Sequence, residues 1–554
     1  MTLSSDVLLT GSPEAATNKQ KEEKMRTKFA ILLAIAAVCV TTAWAGWTSD
    51  SLVTGSPGVW RTFIWQSYAH KVVFGTEGVG HLVWQGGPTS VSGYVGIWYN
   101  RYNPGSGSRP GYWGADFAVA PYSTKKKVSN ASPCIALDGD GRTIHVVWSA
   151  LPMGQPSSPC SLCYRRCTQD RNGKDKWDAT LNLYAANAIG SPVVACVPNE
   201  PNHVLVCWRC FVSQAVGHSW VTRFREYVNG AWKQVVRLDS SYMAPQAPAS
   251  IAAAPNGDVF VAYPGYDDGT TGEQIFVKTR HNGVWGQPVN VTKSFSSLWI
   301  KNYTIEVNPI TRNPHVVFER WTEVPAGAGL DTVSAVYHTY RNASGAWLTT
   351  PEVISEPHHQ PSSTDGYHYR VPTMAFVSTG AAHVVWYDTV PPTGNGIMYS
   401  HCSSEGGTWS TPELLTSCYP SRGGQFITVR EPAHTIHVVW LVDYYDDRDE
   451  IWWKSDYSGG GGGMGRPVAL SQSGIELFPN PARAGRVTVQ YSLPRAEPLT
   501  VTLLDVSGRT VKTQEVVAGE RGSFALDVRG LRAGVYILKL DAGSDCLTRK
   551  LVIN

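Results

Sequence analysis

The chain has 554 residues, 47 Lys+Arg against 44 Asp+Glu, a net charge of +3 and only 16% charged residues. With no basic stripe, that balance excludes a nucleic-acid partner, while the length allows a large core in two or three domains. The 21 Trp, 25 Tyr and 53 Gly exclude the disordered and helical classes and favour an all-β protein with many turns.

Residues 1–24 are polar and charged and form an extra N-terminal segment, with Met25 as a second candidate start. Residues 25–45 have the pattern of a secretory signal. Arg26 and Lys28 give the positive start, Phe29 to Val40 the apolar run, and Ala43-Trp44-Ala45 a small-x-small site before Gly46. Cleavage is expected between Ala45 and Gly46. The apolar run is too short to cross a bilayer, so no membrane span is expected in the mature chain. Cys39 leaves with the signal, and ten of the 11 cysteines remain in a compartment that permits disulfides.

From Gly46 the chain repeats itself. Gly80-His81-Leu82-Val83-Trp84, Ile144-His145-Val146-Val147-Trp148, Pro314-His315-Val316-Val317-Phe318, Ala382-His383-Val384-Val385-Trp386 and Ile436-His437-Val438-Val439-Trp440 are plain copies. Leu205-Val206-Cys207-Trp208 and Phe260-Val261-Ala262-Tyr263 are worn ones. Seven copies, spaced 54 to 68 residues apart, make the chain an array of one supersecondary unit. Each copy is short, β-branched and apolar on both faces, as a doubly covered strand is. An apolar strand and a turn such as Asp138-Gly139-Asp140-Gly141 precede it. An aromatic-centred third strand and a fourth strand opened by a tryptophan follow, at Trp113, Trp177, Trp232, Trp285, Trp347 and Trp409. Four strands with a glycine and aromatic signature are the pattern of a propeller blade.

The seventh repeat has no fourth strand and runs into five glycines, Gly459 to Gly463. Trp47-Thr48-Ser49-Asp50-Ser51-Leu52-Val53-Thr54 matches Trp409 to Thr416 in pattern, so the N-terminus is expected to supply the missing strand. The sequence thus predicts an all-β chain: a seven-bladed β-propeller over 46–457 closed by an N-terminal strand, a Gly-rich linker over 458–466, and a small Ig-like β-sandwich over 467–554.

The last segment resembles the type A C-terminal sorting domain of type IX secretion. The residues that carry the likeness are Pro479-Asn480-Pro481, Gly508-Arg509, Gly534-Val535-Tyr536 and Lys550. The resemblance implies handling by the type IX secretion machinery and delivery to the outer cell surface or the extracellular space. The repeats resemble the bacterial neuraminidase repeat of sialidase-like propellers. Ser403-Ser404-Glu405-Gly406-Gly407-Thr408-Trp409 is similar to the Asp-box turn of that family, with Glu405 where the pattern has Asp. Tyr369-Arg370-Val371-Pro372 is similar to the motif bearing the first arginine of the sialidase triad, which makes Arg370 the one catalytic candidate. Carboxylate capture there would need three arginines, with a tyrosine nucleophile and an acid. Only one arginine is identifiable, and in the family that motif belongs to an early blade.

The histidines of the repeats are expected to be packing residues, because Leu205 and Phe260 fill the same place. Loops after the second strands are acidic and aromatic. Tyr266, Asp267 and Asp268, then Tyr387 and Asp388, then Asp443, Tyr444, Asp446 and Asp447 are the binding candidates. Carboxylates beside aromatic planes suit sugar hydroxyls and calcium, whereas the plain alternative is a solvated turn. Cys160, Cys163, Cys207 and Cys210 are weak zinc candidates, and Cys402 with Cys418 is the expected disulfide. No cofactor is called for. The function expected is a non-catalytic scaffold binding glycans or proteins. A sialidase-like exo-glycosidase and a structural surface component are the alternatives.

Overall fold

The structure, a computed structural model, describes most residues between Trp47 and Ile553. Residues 1–46, 457–473 and shorter stretches, chiefly 63–68, 240–247, 267–271, 360–369, 418–423 and 443–449, lie outside it. The signal, its cleavage site and the glycine linker are therefore outside the described residues. Every named element is a strand, and no helix among the described residues could cross a membrane.

Seven antiparallel sheets follow one another along the chain. Their second strands are the repeated segments: Gly80–Pro88, Ile144–Pro152, Val204–Gln214, Val259–Gly265, Pro314–Ala326, Ala382–Val390 and Thr435–Val442. The first strand of each sheet lies against the first strand of the next. The series begins at Val72–Phe74 and passes through Val128–Leu137, Val193–Cys196, Ser250–Ala253, Trp299–Val307 and Thr373–Phe376. It reaches Gln425–Arg430, which again touches Val72–Phe74. The arrangement is propeller-like. Burial follows the repeat: Trp84, Trp148, Trp208, Phe318, Trp386 and Trp440 are all within 1% of complete burial.

The seventh sheet takes its outer strand from the N-terminus. Ser51–Thr54 pairs antiparallel with Glu450–Ser455, with Ser51 opposite Trp453 and Leu52 opposite Trp452, and Trp47 bridges Asp456. The buried Lys454 ammonium meets Asp50 Oδ1 at 2.8 Å and donates to the Leu415 carbonyl. Trp47 stands in the place that the fourth-strand tryptophans hold elsewhere. Its ring meets Tyr399 of the preceding sheet edge-on at 5.1 Å and 81°. Trp177 meets Tyr99, Trp232 meets Tyr164, Trp285 meets Phe224 and Trp409 meets His338 in the same way, each at 5.1 Å. The polar ends agree too: Trp47 Nε1 donates to Glu413 and Trp409 Nε1 to Glu352, both at 3.2 Å. Trp113 carries the pattern round to Trp453 of the seventh sheet at 6.3 Å.

The repeat histidines are buried in the core, in the register of Leu205 and Phe260. His81, His145 and His383 place Nδ1 2.7–2.8 Å from the hydroxyls of Tyr99, Tyr164 and Tyr399, and His437 Nδ1 accepts from Trp453 Nε1. His315 differs, being bound at both nitrogens. Its Nδ1 lies 2.9 Å from His338 Nε2 and its Nε2 lies 3.1 Å from Glu405. Glu405, at the Asp-box-like turn, also accepts from Thr311 and Asn313, so it fastens the fifth sheet to the sixth.

Beyond the linker, two sheets of three and four strands follow. Val487, Val489 and Leu526 of the first share one core with Val501, Leu503, Leu538 and Leu551 of the second.

Two outcomes are expected. Trp47→Ala removes a half-buried indole from the last seam and should cost about 3 kcal/mol in urea unfolding. Deleting 46–54 should in addition leave Glu450–Ser455 unpaired and make the protein self-associate, seen by light scattering. The second concerns acid. Burial holds the imidazoles of His81, His383 and His437 down at about 3, with neighbouring cationic or imidazole groups adding less. The unfolded chain then binds more protons than the folded one between pH 6.5 and about 3, so stability falls as pH drops through that window. His383→Leu should flatten the slope by one proton, about 1.4 kcal/mol per pH unit, read from urea midpoints.

Candidate functional site

The seven repeats agree up to the aromatic and diverge at the next residue, which is Gln85, Ser149, Arg209, Pro264, Glu319, Tyr387 or Leu441. These positions lie at the end of the sheets where the second strands leave the core and the first strands begin. There the side chains of Gln85, Ser149, Arg209 and Glu319 form a buried polar layer.

Its most charged part joins the fifth, sixth and seventh sheets. Arg370, 1% exposed, lies just ahead of the first strand of the sixth sheet, separated from it by Val371 and Pro372, and its carbonyl accepts from Tyr387 N and from Gln425 Nε2. Its guanidinium donates to Ser334 Oγ at 3.0 Å, to Ser355 Oγ at 2.6 Å and to the Glu356 carbonyl, and pairs with Asp388 Oδ2 at 3.1 Å. Nη2 finds no hydrogen-bond partner among the described residues. Glu319 is fully buried nearby. Asn302 Nδ2 donates to one of its oxygens at 3.0 Å and Trp321 Nε1 to the other at 2.6 Å. Burial raises the Glu319 carboxyl above its ordinary value, against the pull of those bonds and of Arg370. Burial also lowers Arg370, opposed by Asp388 and Glu319. The cluster is a cation between two carboxyl groups, satisfied by protein atoms on most sides.

The expected binding residues are not brought together by the described residues. Tyr266 is 48% exposed at the end of its strand, as a loop residue should be. Tyr387 and Asp388 are buried instead, because the second strand of the sixth sheet continues to Val390 and carries both inside. Asp267, Asp268, Asp443, Tyr444, Asp446 and Asp447 lie outside the described residues. Among the described residues Cys160, Cys163, Cys207 and Cys210 do not form a group of three converging donors, and Cys160 and Cys163 part for a plain reason. A spacing of three along a strand sends the two sulfurs to opposite faces. Cys160 accordingly packs in the core of the third sheet while Cys163 packs against Val83 and Ile97 of the first. Cys402 is a free thiol that donates to the Ser404 carbonyl, and its expected partner Cys418 is outside the described residues. Sequence reasoning missed Glu319, whose signal was an acid directly after the aromatic of an apolar strand.

In the C-terminal region, Arg509 N and Nε donate to Asp505, and Tyr536 Oη donates to the Arg532 carbonyl, closing the turn before Gly534 and Val535. Lys550 lies opposite Ile537 on the last strand. Pro479, Asn480, Pro481 and Gly508 lie outside the described residues.

Arg370→Ala should destabilise the protein by about 3–5 kcal/mol, because it strips the counter-charge from a buried Asp388. Asp388→Asn in the same background should recover part of that loss, measured by urea unfolding.

No curated protein matches the chain in sequence. Among solved structures, Bacillus subtilis levansucrase matches with a TM-score of 0.33 and 9% identity, over 55% of this chain and 88% of that one. The polysaccharide lyase Uly1 matches with a TM-score of 0.32 and 10% identity, over 74% and 88%. A chain titled glycoside hydrolase has a TM-score of 0.25 and 9% identity, over 51% and 89%. Scores this low carry no functional argument, and none of the three speaks for the sialidase resemblance. The C-terminal comparison is of another kind, because residues 476–554 match the secretion system C-terminal sorting domain over the strands just described. Those residues are therefore a secretion sorting domain, which implies export by the type IX machinery to the outer surface or the extracellular space.

Proposed function

We propose that residues 46–457 form a seven-bladed propeller closed by the N-terminal strand, carried out of the cell by an Ig-like sorting sandwich. In this proposal the propeller is a non-catalytic scaffold that binds glycans or proteins with the loops at the exit end of its second strands. The observation that carries the proposal is the state of Arg370. A triad arginine must present its fork to a substrate carboxylate, whereas this one is buried and spent on Ser334, Ser355 and Asp388. Tyr266 is an exposed aromatic at that end, and the acidic segments 267–268 and 443–447, which follow second strands in the sequence, lie outside the described residues. Their carboxylates suit sugar hydroxyls or calcium. A sialidase-like exo-glycosidase is the second reading, favoured by two buried carboxyl groups, Asp388 and Glu319, that both act on Arg370.

The mature chain on a glycan array, run beside a sialoside turnover assay, separates the two. Saturable binding without turnover is expected, and Arg370→Ala should change neither after correction for folded fraction. Turnover by the wild type that vanishes in folded Arg370→Ala would overturn the scaffold. Deleting 467–554 should give a folded propeller that stays inside a native host, followed by surface labelling.

A further inference from the structure

The opposite end of the sheets, where first strands turn into second strands, carries a group of side chains that the proposed function does not use. Asp138 opens the turn of the second sheet, His145 lies on its second strand, and Cys196 ends the first strand of the third sheet. One donor atom from each, a carboxylate oxygen, an imidazole nitrogen and the thiol sulfur, lie within 4.8 Å of one another. Among the described residues this is the only place where three such donors meet.

A second observation concerns His145. Its Nδ1 lies 2.7 Å from the Tyr164 hydroxyl, which fixes the ring. Its Nε2 is buried with no hydrogen-bond partner and faces Asp138 Oδ2 at 3.6 Å, too long for a hydrogen bond. A buried imidazole nitrogen aimed at a carboxylate and held short of bonding it is out of place in a packed core. The distance does fit two ligands of one ion. Tetrahedral zinc with Zn–N and Zn–O bonds near 2.0–2.2 Å sets such atoms roughly 3.3–3.5 Å apart. Asp138 is already oriented for this. Its Oδ1 accepts from Gly139 N, and both oxygens accept from Asn202 N at 2.9 Å, leaving Oδ2 a lone pair toward His145. The Nδ1 contact to Tyr164 holds the ring with Nε2 toward Asp138.

What sets this repeat apart is the donor set and not the ring alone: His81 and His383 also bond a tyrosine hydroxyl through Nδ1, and His437 Nε2 is also buried without a hydrogen-bond partner, but among the described residues no carboxylate and thiol converge on them. Where the second sheet has His145, the third has Leu205 and the fourth Phe260, both fully buried. In the seventh sheet the ring of Phe74 stacks on His437 at 3.7 Å.

We propose that Asp138, His145 and Cys196 form a binding site for a divalent transition metal of the zinc type, with the fourth position left to water or a ligand. On binding, the Cys196 thiol gives its proton to solvent and its sulfur joins the metal as thiolate, with no change of oxidation state. Because the sulfur binds as thiolate, metal uptake should release a proton. The site would pin the turn of the second sheet to the first strand of the third.

Cobalt(II) tests this with a readout in the metal itself. The full chain is stripped with chelator under reducing, anaerobic conditions and titrated with cobalt(II). The expected result is saturation at one equivalent, a thiolate-to-cobalt charge-transfer band in the near ultraviolet, visible bands of tetrahedral intensity, and bleaching of both by zinc(II). Cys196→Ser should remove the near-ultraviolet band, and His145→Leu should abolish saturable binding. The latter substitution installs the residue the third repeat already carries, and circular dichroism checks that it folds. Absence of the charge-transfer band in the wild type, or its survival in Cys196→Ser, overturns the proposal.

Discussion

The seam between neighbouring sheets rests on one contact, an indole edge set against the face of a ring one sheet back. Described pairs at five seams place it at 5.1 Å, and a looser sixth joins Trp113 to Trp453. Edge-to-face geometry puts the positive rim of one ring on the negative face of the other and adds about 0.5–1.5 kcal/mol to the area buried. Each sheet alone would expose its apolar faces, so it folds only against a neighbour. The seventh sheet has no outer strand of its own, and the N-terminal segment supplies both that strand and the indole. The order of the whole array depends on this one borrowed element.

Much of that architecture was legible because it is periodic. Seven similar segments, six downstream tryptophans and one similar tryptophan at the start led to the pairing of Ser51–Thr54 with Glu450–Ser455. The burial of the histidines was legible from their substitutes, Leu205 and Phe260, but the donor role proposed for His145 was not. The exit end was less legible for the same reason. It is where the repeats stop resembling one another, so a register learned from the core gives no guide. Tyr387 and Asp388 looked like loop residues because the recognisable segment ends at Trp386, yet the strand runs to Val390 and buries them. The cysteine pairs misled because spacing alone was considered, whereas on a strand an interval of three separates faces. The donors that do converge, Asp138, His145 and Cys196, come from two different sheets and have no spacing to recognise.

The two ends of the array divide the chemistry. At the exit end one buried charge pair, Arg370 with Asp388, is compensated within the protein. A compensated pair of this kind fixes register and specificity more than it adds stability. At the turn end, polar groups tie each sheet to the next through single side chains: Glu405 reaches Thr311, Asn313 and His315 from the following sheet. The sorting domain has its own core and shares no described cluster with the repeats.

The borrowed strand also decides how the molecule bears load. Any tether attached beyond Ser455 pulls on Glu450–Ser455. That strand is flanked by Thr435–Val442 on one side and Ser51–Thr54 on the other, both antiparallel to it. Force along it strains the hydrogen bonds of both ladders together, in shear, instead of opening them one at a time. The joint that makes the sheets complete is thus also the one that resists extraction, so an exported chain held from its C-terminal side is gripped at the point where the first and last strands of the array pair.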